Sequence, residues 1–507
     1  MQLNVMKIIG AVVVINMLGR LLGFAREIVI GFQFGTSYLA DSIITAYTIP
    51  TFLNIVVGGA LTTAFISIYS KMTGEKAKNS LVKNVFSLLS FLSIIVIISL
   101  FVFTDQIISM LFPGFTIEER TVTKNLLYWM APTTVCMLFT IWFSGILNLH
   151  NKFKVAALST FINNAVFIVM VLLFVPIIGV SAYGLGAVIG SLLAIIVLYF
   201  SIKGVTPIEF GIKFSLDGDF QKLVRLAFPI MLGGATLQFY FLLHRYFASS
   251  LQDGAISALN YAGKLIQFPQ IILITAVTTV IYPLLAKKVA ENRGDELQEI
   301  FQKGLRWLSL LIWPIAIFIA IYSKEVITVV FEYGSFTKES TDLTAPLLMI
   351  FSLSMFSLAA TAYVTRFFYA MERSVLPVLF SVISVFGINS FISIYYLDEL
   401  GASAIALGTT VSSIVNLFLL LILAQSMLKL TLEYKPRQQL QTLLFYCMLV
   451  PIIWFSRKVL LPLPEWMMIV VGGLLLIGIN LILLKVCRFP EWEMVKGKFR
   501  RVKGEGI

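Results

Sequence analysis

Charged residues, histidines and cysteines are all scarce in this chain. Only 13% of the 507 residues are charged, whereas a soluble domain carries about 25%. The only two histidines, His150 and His244, argue against a histidine-based metal site. The three cysteines, Cys136, Cys447 and Cys487, lie in or beside apolar segments without CxxC spacing, so we expect neither disulfides nor zinc. No P-loop motif is present, so the sequence carries no recognisable ATPase and we expect no cofactor.

Long apolar segments dominate instead. The chain is 59% hydrophobic, with a mean hydropathy of +0.93, and segments of about 20 apolar residues, enough to cross a bilayer, recur throughout. The first is too long for the apolar region of a signal peptide and lacks a small-residue cleavage site. We therefore predict an all-α polytopic membrane protein of about fourteen transmembrane helices. The predicted spans are 6–34, 38–70, 80–111, 123–149, 154–178, 181–202, 220–249, 253–286, 299–322, 339–370, 375–397, 401–427, 438–460 and 465–486.

The distribution of Lys and Arg between the loops predicts an orientation. Loops after even-numbered spans carry most of these residues, as in the Lys71–Lys83 and Lys287–Arg306 regions. Loops after odd-numbered spans carry far fewer: Arg120, Lys124, Lys324, Lys338, Arg457 and Lys458. Since cytoplasmic loops carry the excess of basic residues, the even side and both termini are predicted to be cytoplasmic. The net charge of +12 is then explained by basic cytoplasmic loops that face anionic lipid headgroups. We expect no nucleic-acid partner.

A weak internal repeat predicts the domain organisation. The sequence ALTT at 60–63, followed by Lys71, recurs as AVTT at 276–279, followed by Lys287. Each half then contains six helices inserted in the same sense, and such parallel repeats place the substrate site between the halves. The predicted divisions are an N-terminal lobe 1–203, a C-terminal lobe 204–430, two further helices 431–490 and a basic tail 491–507.

The first span contains charged residues at bilayer depth. Read at 100° per residue, one stripe of this helix carries Asn16, Arg20, Gly23, Glu27 and Gly31, and Arg26 lies beside it. A charge at this depth costs about 2.5–3.5 kcal/mol or more and usually faces a bundle interior or an aqueous cavity. One interpretation is a structural Arg20–Glu27 pair. The other is a cationic cavity wall that receives an anionic substrate.

Other polar residues within spans are candidates for the same site. They are Asp41 on helix 2, His244 and Arg245 on helix 7, Lys264 on helix 8 and Arg366 on helix 10. If helices 1, 2, 7 and 8 face one another, Arg20, Arg26 and Lys264 converge, a combination that suits a diphosphate. Glu27 and Asp41 would then orient the arginines. His244 is also interpretable as a packed histidine, and Arg245 and Arg366 as side chains that reach toward helix ends.

Several motifs resemble the MurJ/MviN lipid II flippases of the multidrug/oligosaccharidyl-lipid/polysaccharide exporter superfamily. The most specific is GRLLGFARE at 19–27, near the N-terminus. The others are FGT at 34–36, AD at 40–41, IP at 49–50, YA at 261–262, FP at 268–269, PLL at 283–285, FEYGSFT at 331–337 and FYA at 368–370 before Pro377. Together they extend over nearly the whole chain.

The resemblance implies two lobes around a central cationic cavity, with the last two helices forming a groove for a lipid tail. It implies alternating access that moves an undecaprenyl-diphosphate-linked sugar to the outer leaflet of a bacterial plasma membrane. The implied partners are the lipid-linked oligosaccharide and membrane lipids, with cell-wall synthesis proteins as further candidates, and we expect a monomer. Arg20, Arg26 and Asp41 match family positions associated with function.

Four positions depart from the family pattern. Asn54 stands where the family commonly has an arginine, Gly59 where it has an acidic residue, and Gly263-Lys264 where it has an Asp-Arg pair. Another polyprenyl-diphosphate glycan is therefore an alternative substrate. Two other classes stay open: a cation-coupled drug exporter, which would use Glu27 or Asp41, and a membrane glycosyltransferase. The short loops do not favour the enzyme, so we expect a transporter.

Overall fold

The described part of the chain is helical. The computed structural model describes residues 2–204, 208–213, 215, 217–291, 294–371, 373, 375–432, 436–489 and 491–492. The side chains of 2–9, 233–234, 236–237, 271–284, 286–287, 290 and 436–437 are outside that description. The predicted basic tail lies almost entirely outside the described residues, as do the side chains of the second repeat copy at 276–279.

The helices of the first half follow the apolar segments closely. They are α1 (Gln2–Phe34), α2 (Tyr38–Leu53), α3 (Gly59–Tyr69), α4 (Glu75–Val102), α5 (Thr104–Leu111), α6 (Ile117–Leu149), α7 (Phe153–Ile178), α8 (Ser181–Lys203) and α9 (Gly218–Ala248). A π-helical turn, Asn54–Gly58, joins α2 to α3. Pro50 lies one turn before it, and the backbone N–H of Asn54 contacts the carbonyls of Pro50 and Thr51.

The second half continues in the same way. Its helices are α10 (Ala255–Ala290), α11 (Gly294–Ile321), α12 (Ser323–Phe331), α13 (Lys338–Ser352), α14 (Met355–Ala370), α15 (Val375–Val382), α16 (Ser390–Leu400), α17 (Ala402–Leu428), α18 (Pro436–Leu460) and α19 (Glu465–Val486). A second π-helical turn, Ile383–Asn389, joins α15 to α16.

The all-helical membrane architecture is confirmed, whereas the count of fourteen spans stays a prediction. Within the described residues, ten helices are long and apolar enough to cross a membrane, or eleven if α13 and α14, bent by 41°, form one span. Three further helices, α1, α9 and α10, contain 33, 31 and 36 residues. At about 1.5 Å per residue each of these also reaches across a hydrocarbon core.

The chain divides into two compact units. The first comprises Met1–Asn260 with Tyr333–Phe336, and the second comprises Tyr261–Glu332 with Thr337–Ile507. The first unit has an aromatic-rich core in which the Trp142 and Phe65 rings meet at 5.8 Å. In the second unit, α18 and α19 pack on α11 and α12 through side chains such as Phe445, Leu449 and Tyr322. The predicted lobe boundaries stay a prediction.

The segment between α8 and α9 is fixed to α4 in the first unit. Asn84 donates to Ser215 and accepts from its backbone N–H, with distances of 3.0 and 3.1 Å. Lys83 donates to Glu209 at 2.6 Å, and this hydrogen bond and positive charge lower the pKa of Glu209. Asp217 ends the segment as the N-cap of α9, where it accepts from the N–H of Phe220 at 3.1 Å. The start of α9 is thereby anchored to α4.

Candidate functional site

Helix α1 packs on α7 through its small residues. Asn164 of α7 donates to the carbonyl oxygen of Gly19 at 2.9 Å. A β-carbon on Gly23 would lie 3.4 Å from the amide nitrogen of the same asparagine. Small residues allow such close approach between membrane helices, and a polar side chain then links the two. This contact fixes the rotation of α1, and so fixes where its charged residues point.

Arg26 lies inside the first unit, between two aromatic rings. Its guanidinium carbon is 4.4 Å from the centroid of Tyr47 on α2 and 5.4 Å from that of Phe167 on α7. These distances place the cation within range of both ring faces. The two rings also meet each other edge to face at 6.3 Å. Arg26 is therefore a positioned cation with 16% of its side chain exposed.

Glu27 completes this buried polar cluster. Its carboxylate accepts from Nη2 of Arg26 at 3.0 Å and from the side-chain amide of Asn260 at 2.7 Å. A buried carboxylate requires a charge partner and hydrogen bonds, and the two residues supply both. The ion pair of Glu27 is thus with its chain neighbour, whereas the sequence suggested Arg20.

Arg20 is exposed and lies on a different face of α1 from Arg26. The exposed guanidinium sits in the middle of a 33-residue helix. A charge at that depth facing lipid would be costly, so the physical expectation is that Arg20 faces water. The role of Arg20 in binding an anionic substrate stays a prediction.

Asp41 caps the beginning of α10. Its two carboxylate oxygens accept backbone hydrogen bonds from Gly254 at 2.8 Å and Ser257 at 2.7 Å, and the residue is only 2% exposed. An anion at a helix N-terminus satisfies free N–H groups and opposes the positive end of the helix dipole. The structure gives Asp41 this capping contact, and its predicted role in orienting the arginines stays a prediction.

The backbones crowd together beside this cap. Gly254 has φ +88°, and a β-carbon there would lie 2.6 Å from the carbonyl oxygen of Thr36. Gly334 has φ +64°, and its β-carbon would collide with the carbonyl oxygen of Phe32. The N–H of Ser335 donates to that same oxygen at 2.8 Å. Gly254 and the glycine of the FEYGSFT motif, Gly334, therefore permit close backbone packing at the end of α1, which the charge distribution predicts to lie on the outer side of the membrane.

We expect Asp41→Ala to destabilise the protein by about 3 kcal/mol. The change removes two hydrogen bonds to a charged acceptor, each worth about 1.5–3 kcal/mol. The thermal unfolding midpoint of the purified protein measures the effect. Asp253→Ala is the matched control, since Asp253 is an exposed acid in the loop before α10. Equal midpoints for the two variants would contradict the capping role.

The remaining candidates lie in different surroundings. The ring of His244 approaches those of Tyr240 and Phe241 on the same helix, with centroids 6.5 and 6.4 Å apart, and its role stays a prediction. Arg245 is partly buried in the last turn of α9. Lys264 is partly buried on α10 and Arg366 is exposed on α14, both in the second unit. The convergence of Lys264 with Arg20 and Arg26 stays a prediction.

Asn54 lines a cavity in the first unit and begins the π-helical turn. Its side-chain oxygen is buried and has no hydrogen-bond partner among the described residues. Gly58, four residues on, lets α6 approach, since a β-carbon there would lie 2.8 Å from a methyl of Ile141. A neutral residue, Asn54, therefore lies at this cavity.

Sequence reasoning missed the residues that hold the charged side chains. Tyr47, Phe167 and Asn260 read as ordinary residues of apolar helices, because their partners are distant in sequence. Tyr183 was missed in the same way: its hydroxyl donates to Gln33 of α1 at 2.7 Å, and its ring contacts Phe167 at 5.8 Å. An aromatic or amide residue near a charged one in space gives no signal in a single sequence.

A groove of about 490 Å³ lies in the second unit between α11, α14, α17 and α18. Its lining is mainly apolar and includes Leu310, Leu417 and Tyr446. At one end Arg306 pairs with Glu491 at 3.0 Å. The described residues contain no group of three or more His, Cys, Asp or Glu side chains that could hold a metal ion.

A sequence profile described as "Lipid II flippase MurJ" matches residues 30–477. That range covers most of the chain, including the motifs at 34–36, 40–41 and 331–337. The chain belongs to the MurJ lipid II flippase family. Its membrane helices, the positioned Arg26 and the cap at Asp41 are therefore features of a MurJ family member.

Two relatives illustrate the similarity. A probable lipid II flippase MurJ of Rickettsia prowazekii (strain Madrid E) is 28% identical over 446 residues, which is 87% of this chain and 87% of the relative. The lipid II flippase MurJ of Burkholderia cenocepacia is 25% identical over 423 residues, covering 80% of this chain and 81% of the relative. The matches extend over most of both chains.

Solved structures share the fold. A lipid II flippase MurJ in an inward closed conformation superposes with a TM-score of 0.80 at 23% identity, covering 94% of this chain and 98% of that one. An inward-facing multidrug resistance MATE transporter of the MOP superfamily gives a TM-score of 0.71 at 11% identity, covering 83% and 98%. At these identities the likeness shows the fold alone.

Proposed function

We propose that this chain is a lipid II flippase. It moves the undecaprenyl-diphosphate-linked peptidoglycan precursor from the inner to the outer leaflet of a bacterial cell membrane by alternating access. The observation that carries the proposal is the match to the MurJ family over residues 30–477. The protein is then a transporter rather than an enzyme, with both termini in the cytoplasm.

In this proposal the diphosphate is recognised by Arg20, Arg26 and Lys264. Arginine offers paired N–H donors to phosphate oxygens, and lysine adds a mobile point charge. Arg20 is exposed on α1 and is the first contact. Arg26 has one hydrogen bond to Glu27 and offers further N–H groups of its five to the substrate. Neutralising the diphosphate lowers the cost of moving it through the low-dielectric membrane core.

Glu27 has the role of orienting Arg26, and Asp41 couples the start of α2 to the start of α10 through the cap described above. When such a cap breaks, the N–H groups at the helix end lose their partner, and they regain it when the cap forms again. The helix end can therefore move between two states and keep these groups paired in one of them. Further candidates for substrate contact are Asn54, His244, Arg245 and Arg366.

The second candidate substrate is another polyprenyl-diphosphate glycan, such as a capsule, teichuronic or exopolysaccharide unit. The observation that favours it is the loss of charge at Asn54, Gly59 and Gly263, where the family commonly has charged residues. Fewer charges in the cavity suit a head group with fewer charges of its own. The lipid anchor and the diphosphate are common to both candidates.

Complementation tests the proposal. The chain is expressed in a bacterium depleted of its own lipid II flippase, and its membrane insertion is verified. Growth and normal cell shape are expected. Failure to grow despite full insertion would reject lipid II as substrate. Purified protein in liposomes, supplied with lipid II and with a glycan-bearing polyprenyl diphosphate in turn, then shows which lipid reaches the outer leaflet.

A further inference from the structure

Arg26 and Glu27 form an ion pair although they are consecutive residues of α1. Consecutive side chains of a helix do not face each other, and yet Nη2 of Arg26 donates to Oε1 of Glu27 at 3.0 Å. Both side chains must therefore be held toward each other by groups from other helices. For Arg26 these groups are the rings of Tyr47 and Phe167, which lie 4.4 and 5.4 Å from its guanidinium carbon.

For Glu27 the group that holds the side chain is the amide of Asn260 on α10. Its nitrogen donates to Oε2 of Glu27 at 2.7 Å, a short distance that is typical of a hydrogen bond to a charged acceptor. Glu27 is only 3% exposed, so water competes little for this carboxylate. Its two oxygens are thus divided between two donors: Oε1 accepts from Arg26 and Oε2 accepts from Asn260.

Asn260 extends from a well-anchored part of α10. Three and six residues earlier, the backbone N–H groups of Ser257 and Gly254 donate to Asp41 at 2.7 and 2.8 Å. The first turns of α10 are also largely buried. The amide of Asn260 therefore has little freedom to follow Glu27 if the carboxylate moves, and it fixes the position of Oε2.

This division limits how much of Arg26 is engaged by Glu27. A guanidinium has five N–H groups, and a carboxylate that offers both oxygens commonly binds two of them side by side. The structure gives the pair one hydrogen bond, from Nη2 of Arg26 to Oε1. Because Oε2 accepts from Asn260 instead, further N–H groups of Arg26 remain available for phosphate oxygens.

We propose that Asn260 is a positioning residue for phosphate recognition, which holds Glu27 in a one-point contact and so keeps the N–H groups of Arg26 available to the substrate. The inference rests on the proposed function, because Asn260 acts on the same phosphate site through Glu27. Without this amide the buried carboxylate loses a donor and turns toward the cations beside it. These include Arg26 and also Arg245 of α9, whose charge interacts with Glu27. Either turn engages a cation that the phosphates would otherwise contact.

The test measures binding of undecaprenyl diphosphate to the full-length protein in lipid nanodiscs. Asn260→Leu keeps the branching of the side chain but removes the donor, and Asn260→Ala removes the donor without added bulk. Each should weaken binding about tenfold, as loss of one hydrogen bond between arginine and phosphate predicts. Asn416→Leu is the matched control, since Asn416 of α17 donates to Ser381 at 3.4 Å within the second unit. We expect its affinity to equal that of the original chain.

Combining Asn260→Leu with Glu27→Gln shows whether Asn260 acts through the carboxylate. A neutral glutamine competes weakly for the N–H groups of an arginine. The double variant should therefore bind the lipid within about twofold of Glu27→Gln alone. A role in packing α10 predicts a different result, in which Asn260→Leu weakens binding by the same factor in both backgrounds. That result would overturn the inference, as would unchanged affinity of Asn260→Leu and Asn260→Ala.

A transport assay in liposomes separates this inference from the proposed function. If the variants bind undecaprenyl diphosphate in the expected pattern but the original chain does not move lipid II, the proposed function fails and the positioning role stands. If the original chain moves lipid II and Asn260→Leu binds the diphosphate lipid as tightly as the original chain does, the proposed function stands and the positioning role is rejected. If the original chain binds no undecaprenyl diphosphate, both are rejected.

Discussion

Replacing Arg20 by alanine should abolish lipid II flipping and leave the protein stably folded. Arg20 is exposed on α1, and substitutions at exposed positions usually change stability by less than about 0.5 kcal/mol. The proposed contact is with a diphosphate, and a hydrogen bond between charged groups is worth about 1.5–3 kcal/mol. We therefore expect affinity for undecaprenyl diphosphate to fall on the order of tenfold to a hundredfold, with an unchanged thermal midpoint.

Two companion variants make this result interpretable. Arg20→Lys keeps the charge but loses the planar pair of donors, so it should retain part of the transport. Arg225→Ala removes an exposed arginine near the start of α9 and should transport as the original chain does. Transport is measured in liposomes and growth in the depleted strain. Full activity of Arg20→Ala in both assays would exclude this arginine from the substrate site.

The span boundaries were largely predictable because hydropathy is a local property. The predicted span 154–178 corresponds to Phe153–Ile178 and the predicted span 181–202 to Ser181–Lys203. The predicted span 80–111 was wrong in one respect, since it is broken at Phe103 into α4 and α5. No Gly or Pro marks the break, but Thr104, Asp105 and Gln106 interrupt the apolar sequence directly after it, and the predicted span overlooked that signal.

Bends within spans depended on packing as well as sequence. Pro50 gave a reason to expect a kink, because proline lacks the N–H of a helical hydrogen bond. In the structure, a π-helical turn at Asn54–Gly58 follows this proline. Gly58 packs there against Ile141 of α6. The bend between α13 and α14 falls at 353–354, seven residues after Pro346, where the hydroxyls of Ser352 and Ser354 donate to backbone carbonyls.

The candidate site was predictable as a set of residues but not as a geometry. A charge within an apolar span is visible in any sequence, which is why Arg26, Glu27 and Asp41 were identified. Their partners lie far along the chain: Glu27 meets Asn260, and Asp41 meets Gly254 and Ser257. Helical periodicity relates residues three or four apart and carries no information about contacts over such separations.

The buried cluster around Arg26 should be sensitive to the loss of either of its two charges. Arg26→Leu should destabilise the protein by about 3 kcal/mol, because the buried Glu27 then loses the cation that donates to it at 3.0 Å. Glu27→Gln should be destabilising too, since Arg26 then lacks its counter-charge between the rings of Tyr47 and Phe167. The thermal unfolding midpoint of each purified variant measures these effects.

Combining the two changes separates the structural role of Arg26 from its role in transport. The double variant Arg26→Leu with Glu27→Gln removes both members of the ion pair, and the introduced glutamine amide would still accept a hydrogen bond from Asn260. We expect much of the stability to return, because removing both partners of a buried pair costs less than removing one. Transport should stay absent, since the proposal assigns the Arg26 guanidinium to the diphosphate. If transport returned together with stability, Arg26 would serve only to balance Glu27, and Arg20 and Lys264 would carry the recognition of the phosphates.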